Sequence, residues 1–332
     1  MATPIFIATR GSALALAQAN LVLAQCRATF PDESFEIKII KTTGDKLQAA
    51  SLSSGDLPKG LFTKELEAAL LGGEADLAVH SLKDLPTDLP AGLKLGAVSK
   101  RADVRDVLVY RHIESIACIA EPARPVQQSK RGFKPELSIG ALPWGATVAT
   151  SSTRRRAQLL ERRPDLKVVP IRGNVGTRLR KLTERPELDV IVLAAAGLER
   201  LGFAVEPGAQ MRGDDVPPGL AASRIAVSEM LPCVGQAAIG IEIRESDPRL
   251  SSLCAKLNDA ETLDCVTAER AFLATMGGGC HLAVAAYAEK HGGQLRLRAV
   301  SYLDGAARRG ELSAGFRDAE ALGRQLAAEL RR

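Results

Sequence analysis

Residues 146–156, “ATVATSSTRRR”, run from a short apolar strand pattern directly into a predicted helix that continues to about residue 163. The hydroxyl residues 151–153 would then lie at the helix N-terminus, where free backbone N–H groups and the helix dipole favour an anion. Arg154 and Arg155 follow and add forked donors that suit a carboxylate or phosphate. An ordinary N-cap with a solvated basic face fits the same residues, so this stretch alone leaves both interpretations open.

The alternation of short apolar runs with helical patterns extends in both directions from this stretch. It continues with a strand at 166–171, a helix from Val175 and a strand at 189–196. Earlier in the chain the predicted strands are 5–9, 35–40 and 75–81, and the predicted helices are 14–28 and 61–71. Strands interleaved with helices indicate two α/β units with parallel or mixed sheets. The stretch 234–244 is predicted to add one more element to a sheet.

A different pattern follows Asp247. A helix is predicted over 259–276, strands over 281–289 and 294–305, and a final helix near 317–331, which together indicate a small antiparallel α+β domain. Two stretches, 121–138 and 205–223, are predicted to be irregular. The first is interpreted as a surface insertion or flexible connection. The predicted domains are 1–104 plus 224–245, then 105–223, and finally 246–332.

Composition excludes several classes of protein. The chain has 332 residues, 46% of them hydrophobic, which is enough for two or three domains with proper cores. Its start has no basic region followed by an apolar region, and its longest apolar runs are too short to cross a bilayer. We therefore expect a cytoplasmic protein with no membrane partner. The six cysteines are scattered, with no C-x-x-C pair, so neither a zinc site nor a disulfide framework is indicated.

The net charge of +5 is unevenly distributed. Between Arg154 and Lys181 there are ten Lys or Arg residues against two acids, a local excess of +8 that leaves −3 for the rest of the chain. An anionic ligand is expected there. Arginine clusters also bind nucleic acids, but aromatic residues make up only 4% of the chain and no stacking platform accompanies the basic stretch. We expect no nucleic-acid partner, and we interpret Arg163 as a solvated surface arginine.

Several strand ends carry polar residues that suit a ligand site. In 171–182, “IRGNVGTRLRKL”, an arginine ends the strand and a second lies in the first helical turn. The segments 78–86, “AVHSLKDLP”, and 8–12, “ATRGS”, end their strands in a similar way. Ligands of open α/β sheets bind at this edge. A carboxylate such as Asp84 at a strand end can handle protons or stabilise a cation, although a capping aspartate before a turn is the alternative.

One cysteine stands behind three glycines in 276–284, “MGGGCHLAV”. A run of glycine marks a place where the backbone approaches something closely or takes up a left-handed turn. A loose loop with an incidental, inert cysteine is the alternative, since buried inert cysteines are common.

The chain resembles the porphobilinogen deaminase (hydroxymethylbilane synthase) family over nearly its whole length. The matching motifs, in the order of the family, are “IATRGSALALAQA”, “KGLFTKELEAALLGGEADLAVHSLKDLPT”, “TSSTRRRAQLLERRPDL”, “RGNVGTRLRKL”, “LAAAGLERLG”, “LPCVGQAAIGIE” and “ERAFLATMGGGCHLAVAAYAE”. The resemblance implies an α/β fold of two domains that look like halves of a type II periplasmic binding protein around a cleft. It also implies a small C-terminal α+β domain that carries the cofactor cysteine.

The resemblance implies a transferase of tetrapyrrole, porphyrin and haem biosynthesis. Four porphobilinogen molecules would be joined head to tail, with loss of ammonia, and released as hydroxymethylbilane. A dipyrromethane cofactor bonded to Cys280 would prime the reaction, and neither a metal nor a nucleotide would be needed. The implied partner is the small-molecule substrate alone, and a monomer is expected.

Motif matching also carries over the site residues. Asp84 matches the catalytic carboxylate. The residues matched to cofactor binding are Cys280, Ser81, Lys83, Thr150, Ser151, Ser152, Arg154, Arg155 and Arg172. Those matched to substrate binding are Arg10, Ser12, Arg178 and Arg200. The chain departs from the family in reading “VGQAA” at 234–238 where “VGQGA” is expected, in a longer 121–138 stretch, and in a third arginine, Arg156.

Two other functions are considered. A non-catalytic anion-binding protein of the periplasmic type would explain two α/β units and the arginines, but not Asp84 together with a glycine-framed Cys280. A cysteine acyl-transfer enzyme would use Cys280 and His281, but neighbouring residues of a strand point to opposite faces and make a poor nucleophile and base.

Overall fold

The fold comes from a computed structural model of the chain. It describes residues 4–42, 63–113, 131–206, 208–279 and 282–331. These residues form two compact units: unit 1 is Met1–Ala102, Cys233–Ser301 and Arg308–Arg332, and unit 2 is Asp103–Pro232 and Tyr302–Ala307. Among the helices in these ranges, none is both long and apolar enough to cross a membrane.

The elements are numbered in chain order. The strands are β1 (Ile5–Arg10), β2 (Phe35–Ile40), β3 (Leu77–Ser81), β4 (Leu93–Val98), β5 (Asp106–Arg111), β6 (Thr147–Ala149), β7 (Lys167–Val169), β8 (Val190–Ala194), β9 (Ala204–Val205), β10 (Met211–Arg212), β11 (Leu220–Arg224), β12 (Ile239–Arg244), β13 (Val284–His291), β14 (Gln294–Ser301) and β15 (Arg308–Ala314). The helices are α1 (Ala13–Thr29), α2 (Lys64–Leu71), α3 (Thr153–Arg162), α4 (Val175–Glu184), α5 (Ala195–Arg200), α6 (Pro248–Leu257), α7 (Ala260–Thr275) and α8 (Ala319–Leu330).

Unit 1 is built on a five-stranded mixed sheet of order β2-β1-β3-β12-β4. Strand β1 runs parallel to both neighbours, whereas β12 is antiparallel to β3 and β4. The apolar residues of β1 and β3 are buried with those of helices α1 and α6 in one core. Parallel strands covered by helices need such apolar runs, which is why the sequence pattern identifies them.

Unit 2 repeats this topology with the order β7-β6-β8-β5-β11. Strand β6 is parallel to β7 and β8, and β5 is antiparallel to β8 and β11. The antiparallel strands are β12 in unit 1 and β5 in unit 2. Each is the first strand after the chain crosses over from the other unit. Two α/β sheets with this shared order confirm the predicted fold class, a pair of type II periplasmic-binding-protein-like domains.

The C-terminal part of unit 1 has its own sheet and core. Strands β13, β14 and β15 form an antiparallel sheet, and helices α7 and α8 supply the apolar residues that cover it. The helices approach so closely that a Cβ on Gly323 would lie 2.1 Å from the carbonyl oxygen of Ala268. The predicted α+β character of this region is confirmed, although strand β15 was not predicted.

Several elements differ from the sequence-based expectation. Strands β4 and β5 were not predicted, and residues 220–224, expected to be irregular, form the edge strand β11. Part of the 121–138 stretch lies outside the described residues. In the described part, Phe133 and Leu137 are buried in the core of unit 2, and Phe133 packs edge-on against Tyr110, with ring centroids 6.0 Å apart. These two residues therefore anchor the end of the stretch to the core.

The division into units does not decide the predicted domain boundaries. The C-terminal sheet falls in unit 1 although its core is separate, and the segment 224–232 falls in unit 2. The three-domain division at 104, 223 and 245 therefore stays a prediction.

Candidate active site

A cavity in unit 1 lies at the carboxyl ends of the parallel strands β1 and β3. Its lining consists of Arg10, Ser12, Leu14, Ala15, Gln18, Thr63, Val79, His80, Ser81 and Asp84. Four of the residues predicted from the strand ends are therefore brought together, because adjacent parallel strands end at the same sheet edge. Ser12 also caps helix α1 by accepting a hydrogen bond from the backbone N–H of Ala15, at 3.3 Å.

Gln18 holds the Ser81 hydroxyl in place. The Gln18 amide donates to Ser81 Oγ at 2.9 Å, and the hydroxyl lies 3.1 Å from Gln18 Oε1, to which it can donate in turn. Gln18 is buried in α1, so this polar side chain needs its partner. Sequence reasoning missed Gln18 because its position within a helical pattern gives no sign of a partner 63 residues away.

Asp84 ends a short 3-10 turn, Leu82–Asp84, and its side chain is exposed. Lys83, within the same turn, is half-buried. The loop before β12 supports this turn from behind: the N–H of Leu82 donates to the carbonyl of Ala238 at 3.1 Å. A Cβ on Gly235 would lie 3.2–3.3 Å from Leu82 and Lys83, so the “VGQAA” motif forms a close backing for the Asp84 turn.

The loop that follows Asp84 contacts the glycine run. The Arg270 guanidinium, from α7, donates to the carbonyls of Leu85 and Pro86 at 3.1 and 2.7 Å. A Cβ on Gly278 would lie 3.2 Å from Thr87 Oγ1, and Gly278 has a φ of +65°. The predicted need for glycine is thus confirmed at this position, since both the close approach and the left-handed backbone disfavour a side chain. Cys280 and His281 lie outside the described residues.

In unit 2 the predicted hydroxyl residues lie at the start of helix α3. Ser152 caps the helix by accepting from the backbone N–H of Arg155. Thr150 Oγ1 accepts from the N–H of Ser152 at 3.2 Å. Ser151 Oγ donates to the carbonyl of Ile171 at 2.8 Å and accepts from its N–H, so it ties α3 to the end of the β7 segment. All three hydroxyls therefore have internal structural partners.

Arg154 and Arg155 are buried, which sequence reasoning did not predict. Both guanidinium groups bind the carboxylate of Asp106, at 2.8 and 2.7 Å. Arg154 also donates to the carbonyl of Leu231, and Arg155 to that of Val192. Two cations on one buried carboxylate leave an excess of positive charge, and the Nε atoms of both arginines lack a hydrogen-bond partner in the described part of the chain.

Three further predicted arginines are more accessible. Arg172 is exposed, and Arg178 is half-buried with its Nε donating to the carbonyl of Gly173 at 2.8 Å. Arg200 is partly buried, and burial lowers the pKa of its guanidinium to about 10. A nearby anion would favour the charged form of this group. These accessible guanidinium groups suit a ligand with several carboxylates.

Two arginines of the same basic stretch have structural partners. The interpretation of Arg163 as a solvated surface arginine is wrong. It forms a bidentate pair with Asp165, at 2.7 and 2.8 Å, and donates to four backbone carbonyls, because it closes the C-terminus of α3. Arg156 is exposed and donates to the carbonyl of Val168 at 2.7 Å.

Three of the six cysteines are inert by burial. The pKa of Cys26 is raised to about 11, and those of Cys254 and Cys265 to about 12, chiefly because burial disfavours the thiolate. Cys233 is half-buried, and Cys118 lies outside the described residues. Within the described ranges, no three His, Cys, Asp or Glu side chains are grouped in a way that would hold a metal ion.

Comparison with known proteins agrees with this geometry. The family model “Porphobilinogen deaminase, dipyromethane cofactor binding domain” matches residues 5–252, and “Porphobilinogen deaminase, C-terminal domain” matches residues 263–332. Curated porphobilinogen deaminases from Desulforudis audaxviator and Syntrophomonas wolfei are 44% and 42% identical to the chain. The first alignment covers 99% of this chain and 95% of the relative, the second 98% and 94%.

A likeness to solved structures is much weaker. The crystal structure of CbnR, a LysR family transcriptional regulator, is matched over 76% of this chain and 68% of that one, with 12% identity and a TM-score of 0.39. That score is too low to bear on fold or function. The two domain matches and the near full-length identity above 40% are decisive, and the chain belongs to the porphobilinogen deaminase family.

Proposed function

We propose that the chain joins four porphobilinogen molecules head to tail and releases hydroxymethylbilane, with Asp84 as catalytic carboxylate and Cys280 as the attachment point of the dipyrromethane cofactor. Its membership of the family, through a domain that binds dipyrromethane, makes it a transferase of tetrapyrrole biosynthesis. The observation that carries the residue assignment is the close packing of Gly278 on Thr87, where a Cβ on Gly278 would lie 3.2 Å from Thr87 Oγ1. Gly278 stands two residues before Cys280, and Thr87 stands three after Asp84.

The cofactor, when bound, supplies a primer of two linked pyrroles to which substrate units are added. The protein's own contribution is to bind the carboxylates of the cofactor and of the growing pyrrole chain. Each pyrrole carries an acetate and a propionate, so the bound chain gains two negative charges with every ring. Arg172, Arg178 and Arg200 are proposed to bind these carboxylates directly. Arg154 and Arg155, two cations on the one carboxylate of Asp106, add net positive charge to the same unit.

Asp84 is proposed to act on the charge that develops in the substrate. Loss of ammonia from the aminomethyl group leaves a positive charge spread over the pyrrole ring. A carboxylate held at the edge of the cavity stabilises this charge and accepts a proton when the new carbon–carbon bond has formed. The turn Leu82–Asp84 is fixed by the loop before β12, so the carboxylate is held ready for this role.

In unit 1, Arg10, Ser12, Ser81 and Lys83 are proposed to orient the rings. Arg10 and Ser12 line the cavity with Asp84, and Ser81 is fixed by Gln18. The protein is further proposed to act as a cytoplasmic monomer on a small molecule, with no nucleic-acid or membrane partner. The family resemblance supports this part of the proposal.

The test is a turnover assay with the matched pair Asp84→Asn and Asp88→Asn. Both aspartates are exposed and lie in the same loop region, four residues apart. Wild-type protein and Asp88→Asn should each form one hydroxymethylbilane and four ammonia per four porphobilinogens consumed. Asp84→Asn should lose nearly all turnover while remaining folded. A non-catalytic anion-binding protein would instead bind porphobilinogen without consuming it, and an active Asp84→Asn variant would remove the assigned role.

A further inference from the structure

A buried histidine lies beneath the cavity and has no role in the proposed function. His80, on β3, lines the cavity, and its Nε2 lies 3.0 Å from Oε2 of Glu242 on the neighbouring strand β12. Glu242 is fully buried and the His80 side chain is 4% exposed. The two residues are diagonal neighbours across the strand pair, which brings long side chains within reach. An ionised Glu242 can only accept, which assigns the proton of this contact to His80 Nε2.

A second buried carboxylate lies close to this pair. Glu67, on α2, is 7% exposed, and burial raises its pKa, with the negative charge of Glu242 adding to the effect. One oxygen of each carboxylate, Oε1 of Glu67 and Oε1 of Glu242, has no hydrogen-bond partner in the described part of the chain. Buried carboxylates with unsatisfied oxygens destabilise a fold, and apolar residues of similar size would cost less. Stability therefore does not account for this cluster.

The position of the cluster suggests what it does. His80 is followed directly by Ser81, and the turn that ends at Asp84 follows Ser81. The charged groups around His80 come from every element packed there: Glu242 from β12, Glu67 and Lys64 from α2, Arg10 from β1, and Asp84 from the turn. His80 thus binds one of the two buried carboxylates and lines the same cavity as Asp84.

We propose that His80, held by Glu242, is a positioning residue for the reaction: it fixes the strand end that carries Ser81 and, through the turn that follows, Asp84. This inference rests on the proposed function, since it takes Asp84 as the catalytic group. Its chemical content is a hydrogen bond, and no proton leaves His80 in it.

Three variants test the role of the hydrogen bond between His80 and Glu242. His80→Gln keeps a donor at the place of Nε2, His80→Leu removes it, and Glu242→Gln removes the charge of the partner at constant shape. His112→Gln is the matched control, because His112 is equally buried but belongs to unit 2. For each variant the measurements are kcat, KM and the cofactor content by intact mass.

We expect His80→Leu to lower kcat by about 10- to 100-fold with KM changed less than about twofold, since misplacement of a reacting group acts mainly on the chemical step. His80→Gln should recover most of the kcat lost in His80→Leu. Glu242→Gln should lower kcat by less than His80→Leu does, because the glutamine still offers an acceptor to His80 but without the charge.

Results of another kind would overturn the proposal. If kcat per folded, cofactor-loaded molecule matches the wild type in His80→Leu and in Glu242→Gln, the pair is only structural. An unchanged kcat in Glu242→Gln decides this alone where His80→Leu fails to fold. A higher KM with unchanged kcat would instead make His80 a substrate-binding group. Failure of the proposed function is distinguishable, because the wild-type protein would then form no hydroxymethylbilane.

Discussion

Arg101 and Glu269 form a bidentate ion pair, with distances of 2.6 and 2.9 Å between the guanidinium nitrogens and the carboxylate oxygens. Glu269 is fully buried and also accepts from the backbone N–H groups of Gly235 and Ala288, at 2.7 and 2.8 Å. One carboxylate on α7 therefore joins the loop that backs the Asp84 turn to the sheet that follows the glycine run. The relative placement of Asp84 and Gly278 depends on it.

Glu269→Ala should lower the free energy of unfolding by about 3–5 kcal/mol, because it takes the carboxylate away from the two terminal nitrogens of Arg101 and from two buried N–H groups. Glu261 is the control, since it is exposed on the same helix and lies 3.9 Å from Lys290. Its replacement by alanine should change the free energy by less than about 0.5 kcal/mol. Urea unfolding of both variants checks this, and equal losses would contradict it.

Ala237→Gly should stabilise the protein by about 1 kcal/mol. Ala237 occupies the position where the family motif “VGQGA” has glycine, and its φ of +73° is in the left-handed region that disfavours a Cβ. Ala238, its neighbour, is buried without a positive φ, so Ala238→Gly should destabilise by a similar amount. Thermal and denaturant midpoints of the two variants should move in opposite directions, and a shift in the same direction would refute the strain at Ala237.

Arg172→Leu should raise the KM for porphobilinogen, or lower the rate of elongation, by a factor of about 10 to 100. The loss corresponds to one charge-assisted hydrogen bond to a ligand carboxylate. Arg180→Leu is the control, since Arg180 is likewise exposed and lies on α4 in the same basic stretch. Steady-state kinetics together with mass analysis of enzyme–substrate intermediates distinguishes the two. Equal effects would mean that the general positive charge of unit 2, and not Arg172, binds the substrate.

Cys26, Cys254 and Cys265 should resist alkylation by iodoacetamide in the native protein near pH 8. Their pKa values of about 11 to 12 leave a very small thiolate fraction at that pH, and burial blocks access as well. All three should react once the protein is denatured. Peptide mapping of native and denatured samples measures this, and rapid native labelling at any of the three would show that the buried-thiol assignment is wrong.

Periodicity was sufficient to locate the elements that present the site. Strands β1 and β3 are continuous apolar runs, and helix α1 begins at a serine cap, so Arg10, Ser12 and Ser81 were placed at strand ends correctly. Strand β5 escaped detection because it begins with Asp106 and ends with Arg111, both charged and both buried. Burial of a charge depends on a partner, and Asp106 has its partners at positions 154 and 155.

The same limitation applies to the candidate site. A local pattern shows that Arg154 and Arg155 lie near a helix N-terminus, but not that Asp106 turns both guanidinium groups inward. Gln18 and the pair His80–Glu242 were missed for this reason as well, because their contacts join residues 63 and 162 positions apart. Such contacts follow from the order of strands in the sheet, which no short motif specifies.

The central claim is that Cys280 carries the dipyrromethane cofactor, and the intact mass of the purified active protein tests it most directly. The wild-type mass should exceed the mass of the 332-residue chain by two linked pyrrole units, mapped to the peptide that contains residues 276–284, and Cys280→Ser should lack the addition and be inactive. Alanine or serine at Cys26, Cys118, Cys233, Cys254 or Cys265 should leave the addition in place. Active wild-type protein whose mass equals that of the bare sequence would contradict the claim.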